Sequence, residues 1–243
     1  MQSGLDAYAV APVADAEPEA RGEFLRMVGL WVFGGLLIAY STGAVAAAAV
    51  LALPQYLDNN WVWLGVFWGS FFFSHYLARA MVASGPKLLG FVLGCASEGI
   101  ALGYLMLIAA ETSVERFGAT GIGPFALVAQ AGGLTILTTV GMTFWLWTAP
   151  KNLSWIPAVL CVLTPPMLGF MVFASLFPIG GLVGAGVGML FVAVSAAGLL
   201  YNLNQVFHVM SVDQHLEAAY EITLGILVLF WNILVTLINM NRE

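Results

Sequence analysis

Charged residues are scarce in this sequence. Only 8% of its 243 residues are Asp, Glu, Lys or Arg, whereas 61% are hydrophobic. A soluble domain uses about 25% charged residues to cover its surface. The composition therefore excludes a water-soluble fold. The net charge of -6 arises largely before the first apolar run, which is preceded by Asp6, Asp15, Glu17, Glu19 and Glu23.

Cysteine and lysine are also rare, and this excludes several kinds of chemistry. Cys95 and Cys161 lie inside apolar runs and predict packing rather than a disulfide framework. Lys87 and Lys151 lie between apolar runs, so no span offers the Schiff-base lysine of a retinal-binding protein. Phosphate-binding loops, dinucleotide fingerprints, nucleophile elbows and Cys/His metal spacings do not occur. We expect no enzymatic activity, no cofactor, no metal site and no nucleic-acid partner.

Long apolar stretches, by contrast, are abundant. A helix that crosses the hydrocarbon layer needs about 20 mainly apolar residues, and seven stretches reach this length between polar or Pro-marked breaks. The sequence therefore predicts an all-α integral membrane protein, a seven-transmembrane-helix bundle with short connections. The predicted spans are 27–52, 61–83, 88–110, 123–148, 154–177, 181–207 and 217–240.

The start of the chain and the basic residues indicate its organisation. Residues 1–22 are rich in Ala, Pro and acids, which predicts a flexible acidic tail before a membrane domain at 23–243. Basic residues of short loops stay on the cytoplasmic side. Five of the seven fall on the side of the N-terminus, which is therefore predicted to be cytoplasmic, with the C-terminus opposite. These five are Arg21, Arg26, Arg79, Lys87 and Lys151; the other two are Arg116 and Arg242.

Ionisable side chains inside the spans are few, and each is a functional hypothesis because charge is costly in a bilayer. Glu98 lies in the middle of the third span, where Gly90 and Gly94 precede it on the same helical face. Its carboxyl group should point into the bundle, either as a proton- or cation-responsive group or as a neutral acid tying two helices together. In the second span, Arg79 follows His75 by one turn. Arg79 either reaches the interface or an acid deeper in the bundle.

Polar and small residues form stripes on several spans. Such stripes either line a hydrated cavity or hold helices together. The seventh span carries Glu221, Gly225, Asn232, Thr236 and Asn239, and the sixth carries Ser195, Gly198, Asn202 and Gln205. Glycines spaced by four, which allow helices to approach closely, are Gly90 and Gly94, Gly99 and Gly103, and Gly184 and Gly188. Pro165 and Pro166 predict a kink or break in the fifth span.

Four short strings occur in order between about residues 25 and 240, and together they resemble the Bax inhibitor-1 (transmembrane Bax inhibitor motif) family, especially its bacterial members. The most specific is YNLNQV at 201–206, with His208 shortly after it. The others are ASEGIALG at 96–103, TAPKNLS at 148–154, and the final helix from Glu217 to Ile233.

The resemblance implies a seven-span bundle in the bacterial cytoplasmic membrane. Family members are associated with a pH-sensitive calcium leak, controlled by aspartates in the sixth and seventh spans and an arginine in the second. Other members restrain a membrane AAA protease or act in stress and cell-death regulation. Here Arg79 matches the arginine, but Asn202 occupies the first aspartate's position, and no acid lies between Ile222 and Arg242. An Asn does not titrate near neutral pH, so the family's switch cannot operate unchanged.

Two functions follow as hypotheses. The lost aspartates and the glycine stripes favour a non-enzymatic interaction protein, surrounded by membrane lipids, that regulates a larger membrane complex or is an accessory subunit of it. The alternative is a pH-sensitive calcium or proton leak channel that uses Glu98 and Glu221 in place of the aspartate pair. The residues expected to respond to ions are Glu98, Arg79, Asn202 and Glu221.

Overall fold

The structure is a computed structural model that describes residues 12–52, 60–148, 153, 155–176 and 181–241. Within these ranges the chain forms helices and no strand, with one isolated bridge between Pro12 and Ser211. The prediction of an all-helical fold is therefore confirmed. The helices are α1 (Pro18–Ala52), α2 (Asn60–Phe72), α3 (Arg79–Ser84), α4 (Lys87–Phe117), α5 (Ala126–Thr148), α6 (Ile156–Leu176), α7 (Gly181–His208) and α8 (His215–Asn241).

The second predicted span contains a change of helix type. A π-helical segment, Phe73–Ala78, joins α2 to α3, so residues 60–84 form one rod with a wider turn in its middle. A short 3-10 turn, Gly123–Phe125, leads into α5. The fifth predicted span, α6, is assigned as helix through Pro165 and Pro166. The helix is therefore not interrupted at these prolines, and the predicted kink stays a prediction.

Five helical stretches among the described residues are long and apolar enough to cross a membrane. They are α1, α4, α5 with its preceding turn, α7 and α8. Outward-facing side chains of α5 are apolar and well exposed, among them Leu137 and Phe144. A surface of this kind suits lipid rather than water. The seven-span count and the orientation of the termini stay predictions.

The core lies along α4 and α8. These helices bury more of their length than the other spanning helices, and α1, α5 and α7 pack around them. Close approach depends on glycine: a Cβ atom at Gly99 would collide with Ala39 and Thr42 of α1, and one at Gly103 would collide with Gly43. The predicted glycine stripe of the third span therefore lies within this bundle, against its own first helix.

The segment before α1 differs from the predicted flexible tail from Pro12 onward. Residues Val13–Asp15 form a 3-10 turn, and α1 already begins at Pro18. The Val13 side chain is buried, and its backbone N–H donates a hydrogen bond to the carbonyl of Met210 at 2.8 Å. Contacts with the connection between α7 and α8 thus offset the entropy of ordering these residues. Residues 1–11 of the predicted tail lie outside the described ranges, as do Lys151 and Arg242.

One end of the bundle gathers several chain segments. Lys87 at the start of α4 forms an ion pair with Glu217 in the first turn of α8, with Nζ and Oε1 2.7 Å apart. The turn at Val13–Asp15 contacts the end of α7 beside it. The start of α1, the start of α4 and the start of α8 therefore lie at the same end.

Candidate functional site

The carboxyl group of Glu98 lies inside the bundle, as the glycine pattern predicted. Glu98 is 7% exposed, and two side chains of the π segment contact the same oxygen. Ser74 Oγ donates a hydrogen bond to Oε1 at 2.5 Å, and His75 Nδ1 lies 3.2 Å from it. We call Glu98, Ser74 and His75 the Glu98 site. Its buried acid is held by a hydroxyl group and an imidazole.

The π segment places two consecutive side chains on one acid. In a regular α-helix, neighbouring residues point about 100° apart around the axis. The wider turn at Phe73–Ala78 brings both Ser74 and His75 to α4. The His75 ring stacks on Phe71, with centroids 4.3 Å apart, and this fixes its plane. Single-turn π segments often occur at functional sites.

Tyr220 of α8 fixes the other side of the π segment. Its hydroxyl group donates a hydrogen bond to the backbone carbonyl of Ser74 at 2.7 Å. The ring is fully buried and lies where a Cβ atom at Gly94 would be. Gly94 therefore provides the space through which α8 reaches the π segment. The sequence predicted the role of Gly94 in packing but gave no signal for Tyr220.

A second acid site lies one residue further along α8. Arg79 Nε and Glu221 Oε1 form an ion pair at 2.5 Å. The Glu221 side chain is 17% exposed and that of Arg79 is 55% exposed. Asn202 Nδ2 of α7 donates a hydrogen bond to the backbone carbonyl of Glu221 at 3.2 Å. We call these three residues the Glu221 site. Of the two alternatives for Arg79, the structure has the one in which it reaches an acid.

The two sites are adjacent, and the cavity beside Glu98 has none of Arg79, Asn202 and Glu221 in its described lining. They are joined by the π segment and α3 on one side, and by Tyr220 and Glu221 on the other. A cavity of about 150 Å³ is lined by Glu98, and its described lining includes neither Arg79 nor Asn202. The four predicted ion-responsive residues therefore divide into the buried acid Glu98 and a separate group formed by Glu221, Arg79 and Asn202.

Two further predicted packing glycines, Gly90 and Gly188, also lie between helices of this chain. A Cβ atom at Gly90 would meet Met81 and Ala78 O at 2.7 and 2.9 Å, and one at Gly188 would meet Thr236 Oγ1 at 2.5 Å. Gly184 is buried on α7. Among the described residues, no group of three or more His, Cys, Asp or Glu side chains is arranged to hold a metal ion.

These features define a helical membrane protein with ionisable groups linked across three of its helices. A sequence model of the family described as Inhibitor of apoptosis-promoting Bax1 matches residues 21–243. The chain belongs to this family, so the resemblance noted in the sequence is confirmed. No curated protein and no solved structure shows a significant match to the chain.

Proposed function

We propose that this protein is a non-enzymatic, seven-span member of the Bax1 inhibitor family that forms a pH-sensitive leak for calcium or protons in the bacterial cytoplasmic membrane. The observation that carries the proposal is the ion pair between Arg79 and Glu221, with Asn202 bonded beside it. In the related family pattern, an arginine of the second span works with acids of the last two spans. Here a single acid, Glu221, takes their place.

The proposed topology adds the rod 60–84 and α6 to the five long apolar helices. The described apolar part of α6 is Ile156–Met167. The shared end of the bundle supports the seven-span topology, because seven alternating spans bring the starts of α1, α4 and α8 to one side. This end also carries Lys87 and Arg21, and basic residues favour the cytoplasmic face.

In the proposed mechanism, the Glu221 site is the switch. When Glu221 is ionised, its bond to Arg79 holds α3 against α8. Protonation of Glu221 removes the charge that attracts Arg79. α3 is then free to move away from α8, and this movement opens the leak at low pH. Glu98 supplies a carboxyl group deeper in the bundle, at a cavity wall.

Flux measurements in liposomes test this mechanism. Purified full-length protein is reconstituted and calcium entry is recorded between pH 5 and pH 8. The variant Glu221→Gln mimics the protonated acid, so its flux at pH 8 should rise to the level that the parent protein shows at low pH. Glu98→Gln should lower flux, because it replaces the carboxyl group at the cavity wall by an amide that cannot carry a negative charge. Glu217→Gln is the matched control and should leave the pH profile unchanged. The proposal is contradicted if the parent protein shows no flux. It is also contradicted if neither Glu221→Gln nor Glu98→Gln changes the flux.

A second candidate function is a regulatory or accessory subunit of a larger membrane complex. Asn202 favours it, because a non-titrating amide replaces an acid and serves as a tie between α7 and α8. The predicted packing glycines with described contacts pack against helices of the same chain and not against a partner. Extraction in a mild detergent separates the two functions. A stable co-purifying membrane protein supports the accessory subunit, whereas a monomer that conducts in liposomes contradicts it.

A further inference from the structure

We propose that the cavity beside Glu98 is a binding site for a small organic cation. The cavity lies between α2, α4, α6, α7 and α8, and has a volume of about 150 Å³. Aromatic rings of Phe67, Phe71 and Trp231 form part of its wall, and Glu98 is the one acid in its described lining. We call it the aromatic cavity. Its walls thus combine aromatic rings with a carboxyl group.

The carboxyl group has room for a further partner. Among the described residues, both contacts to Glu98 are made to Oε1, one by Ser74 and one by His75. The nearby guanidinium group of Arg79 is engaged by Glu221. Neither of the two contacts involves the second oxygen of Glu98, Oε2. A buried carboxylate gains most from a cation, and the aromatic cavity is the space beside Glu98 in which one fits.

The aromatic wall favours a cation with an apolar body. Phe67 and Trp231 lie with ring centroids 4.9 Å apart, and Phe67 stacks loosely on Phe71 at 6.4 Å. Aromatic faces attract cations through the ring quadrupole, and quaternary ammonium groups are bound by several such rings. Methyl groups on the cation also bury apolar surface against Val194 and Val228.

Size and ligand type argue against calcium at this position. Calcium takes six to eight oxygen ligands in proteins, but the described side chains with oxygen around the cavity are Glu98, Thr164, Ser195 and Asn232. A cavity of this volume holds about six heavy atoms, as a benzene-sized ligand has. Tetramethylammonium, with five heavy atoms and one positive charge, matches both the volume and the wall. The site does not depend on the proposed leak, because binding can be measured without flux.

Equilibrium dialysis with radiolabelled tetramethylammonium tests the site on the full-length protein in detergent. We expect saturable binding of one ligand per chain. Glu98→Gln should weaken binding at least about tenfold, because the substitution keeps the shape of the side chain and removes the charge. Trp231→Leu should weaken it as well, and Trp231→Phe should weaken it less, because Phe retains a π face.

Three comparisons keep the result decisive. Glu217→Gln removes an acid that pairs with Lys87 outside the aromatic cavity and should bind as the parent protein does. Ser195→Leu fills the cavity from α7, leaves Glu98 unchanged and should abolish binding. It provides an independent test if Glu98→Gln does not fold. Neutral tert-butanol, which has the same number of heavy atoms, should not compete. Absence of saturable binding, equal binding by Glu98→Gln, or equal competition by tert-butanol overturns the proposal.

Discussion

The Glu98 site and the Glu221 site stabilise buried acids in different ways. Glu98, at 7% exposure, is contacted by a hydroxyl group and an imidazole. Glu221 is bonded to a guanidinium group whose own side chain is half exposed. Removing a partner from the drier site leaves a buried polar group unpaired, whereas the Arg79 side of the Glu221 site is open to water. The difference indicates that Glu98 belongs to the rigid core, and that Glu221 lies where the structure can change.

Tyr220 lies between the two sites and packs against Gly94. Substituting Gly94 should therefore have the largest effect on stability. In Gly94→Ala, the added methyl group would overlap the Tyr220 ring and hydroxyl. Overpacking in a close-packed interior costs about 1–3 kcal/mol. Equilibrium unfolding in mixed micelles measures this loss. The control is Gly132→Ala in α5, where a Cβ atom meets nothing within 4 Å. Equal stability of the two variants would show that α8 does not depend on this contact.

Ser74→Ala should affect the Glu98 site next most strongly. The substitution removes the hydroxyl donor to Glu98 and leaves a buried carboxyl group with one fewer partner, at a cost of about 1–3 kcal/mol. The same unfolding experiment provides the measurement. Ser84→Ala, at an exposed position bonded only to the backbone of Ala80, should change stability little. If both serine variants unfold alike, the hydroxyl group is not what holds Glu98.

Tyr220→Phe should have a smaller effect, because the ring stays in its pocket and only one hydrogen bond is lost. The expected loss is about 1 kcal/mol. Hydrogen exchange in the π segment should rise with it, since the carbonyl of Ser74 loses its partner. Tyr76→Phe, at a position 64% exposed, is the control and should alter neither quantity. Unchanged exchange in Tyr220→Phe would separate α8 from the π segment.

Arg79→Gln should change stability least, although it breaks an ion pair. The Arg79 side chain is 55% exposed and that of Glu221 is 17% exposed. Because water reaches the arginine, we expect the pair to contribute about 1 kcal/mol, the upper end of the range for exposed pairs. Raising the salt concentration should lower the stability of the parent protein toward that of the variant, because salt screens exposed charges. A loss as large as that of Ser74→Ala would place the Glu221 site in the rigid core and remove the proposed difference.

How far the sequence predicted these sites depends on the distance over which each contact forms. The helical fold followed from hydropathy, and the inward position of Glu98 followed from the glycine face that precedes it. The partner of Arg79 was left open, because both an interfacial position and an acid fit the pattern. Ser74 and Tyr220 were not predicted to act together. They lie 146 residues apart, and the π segment shifts the helical phase on which face-based reasoning depends.

The start of the chain is a second region where the sequence did not predict the structure. Composition predicted disorder up to residue 22, since few large apolar side chains are present there. A single buried valine, Val13, and one backbone bond to Met210 fix residues that composition assigns to a tail. Such contacts depend on where the α7–α8 connection lies, which local sequence does not contain.

A charge swap at the Glu221 site tests the central claim most directly. Arg79→Glu and Glu221→Arg each place like charges together, so each single variant should leak calcium at pH 8 in liposomes. The double variant restores opposite charges at the same two positions and should close the leak at pH 8. Single variants that stay closed at pH 8, or a double variant that leaks as much as the single ones, would contradict the account.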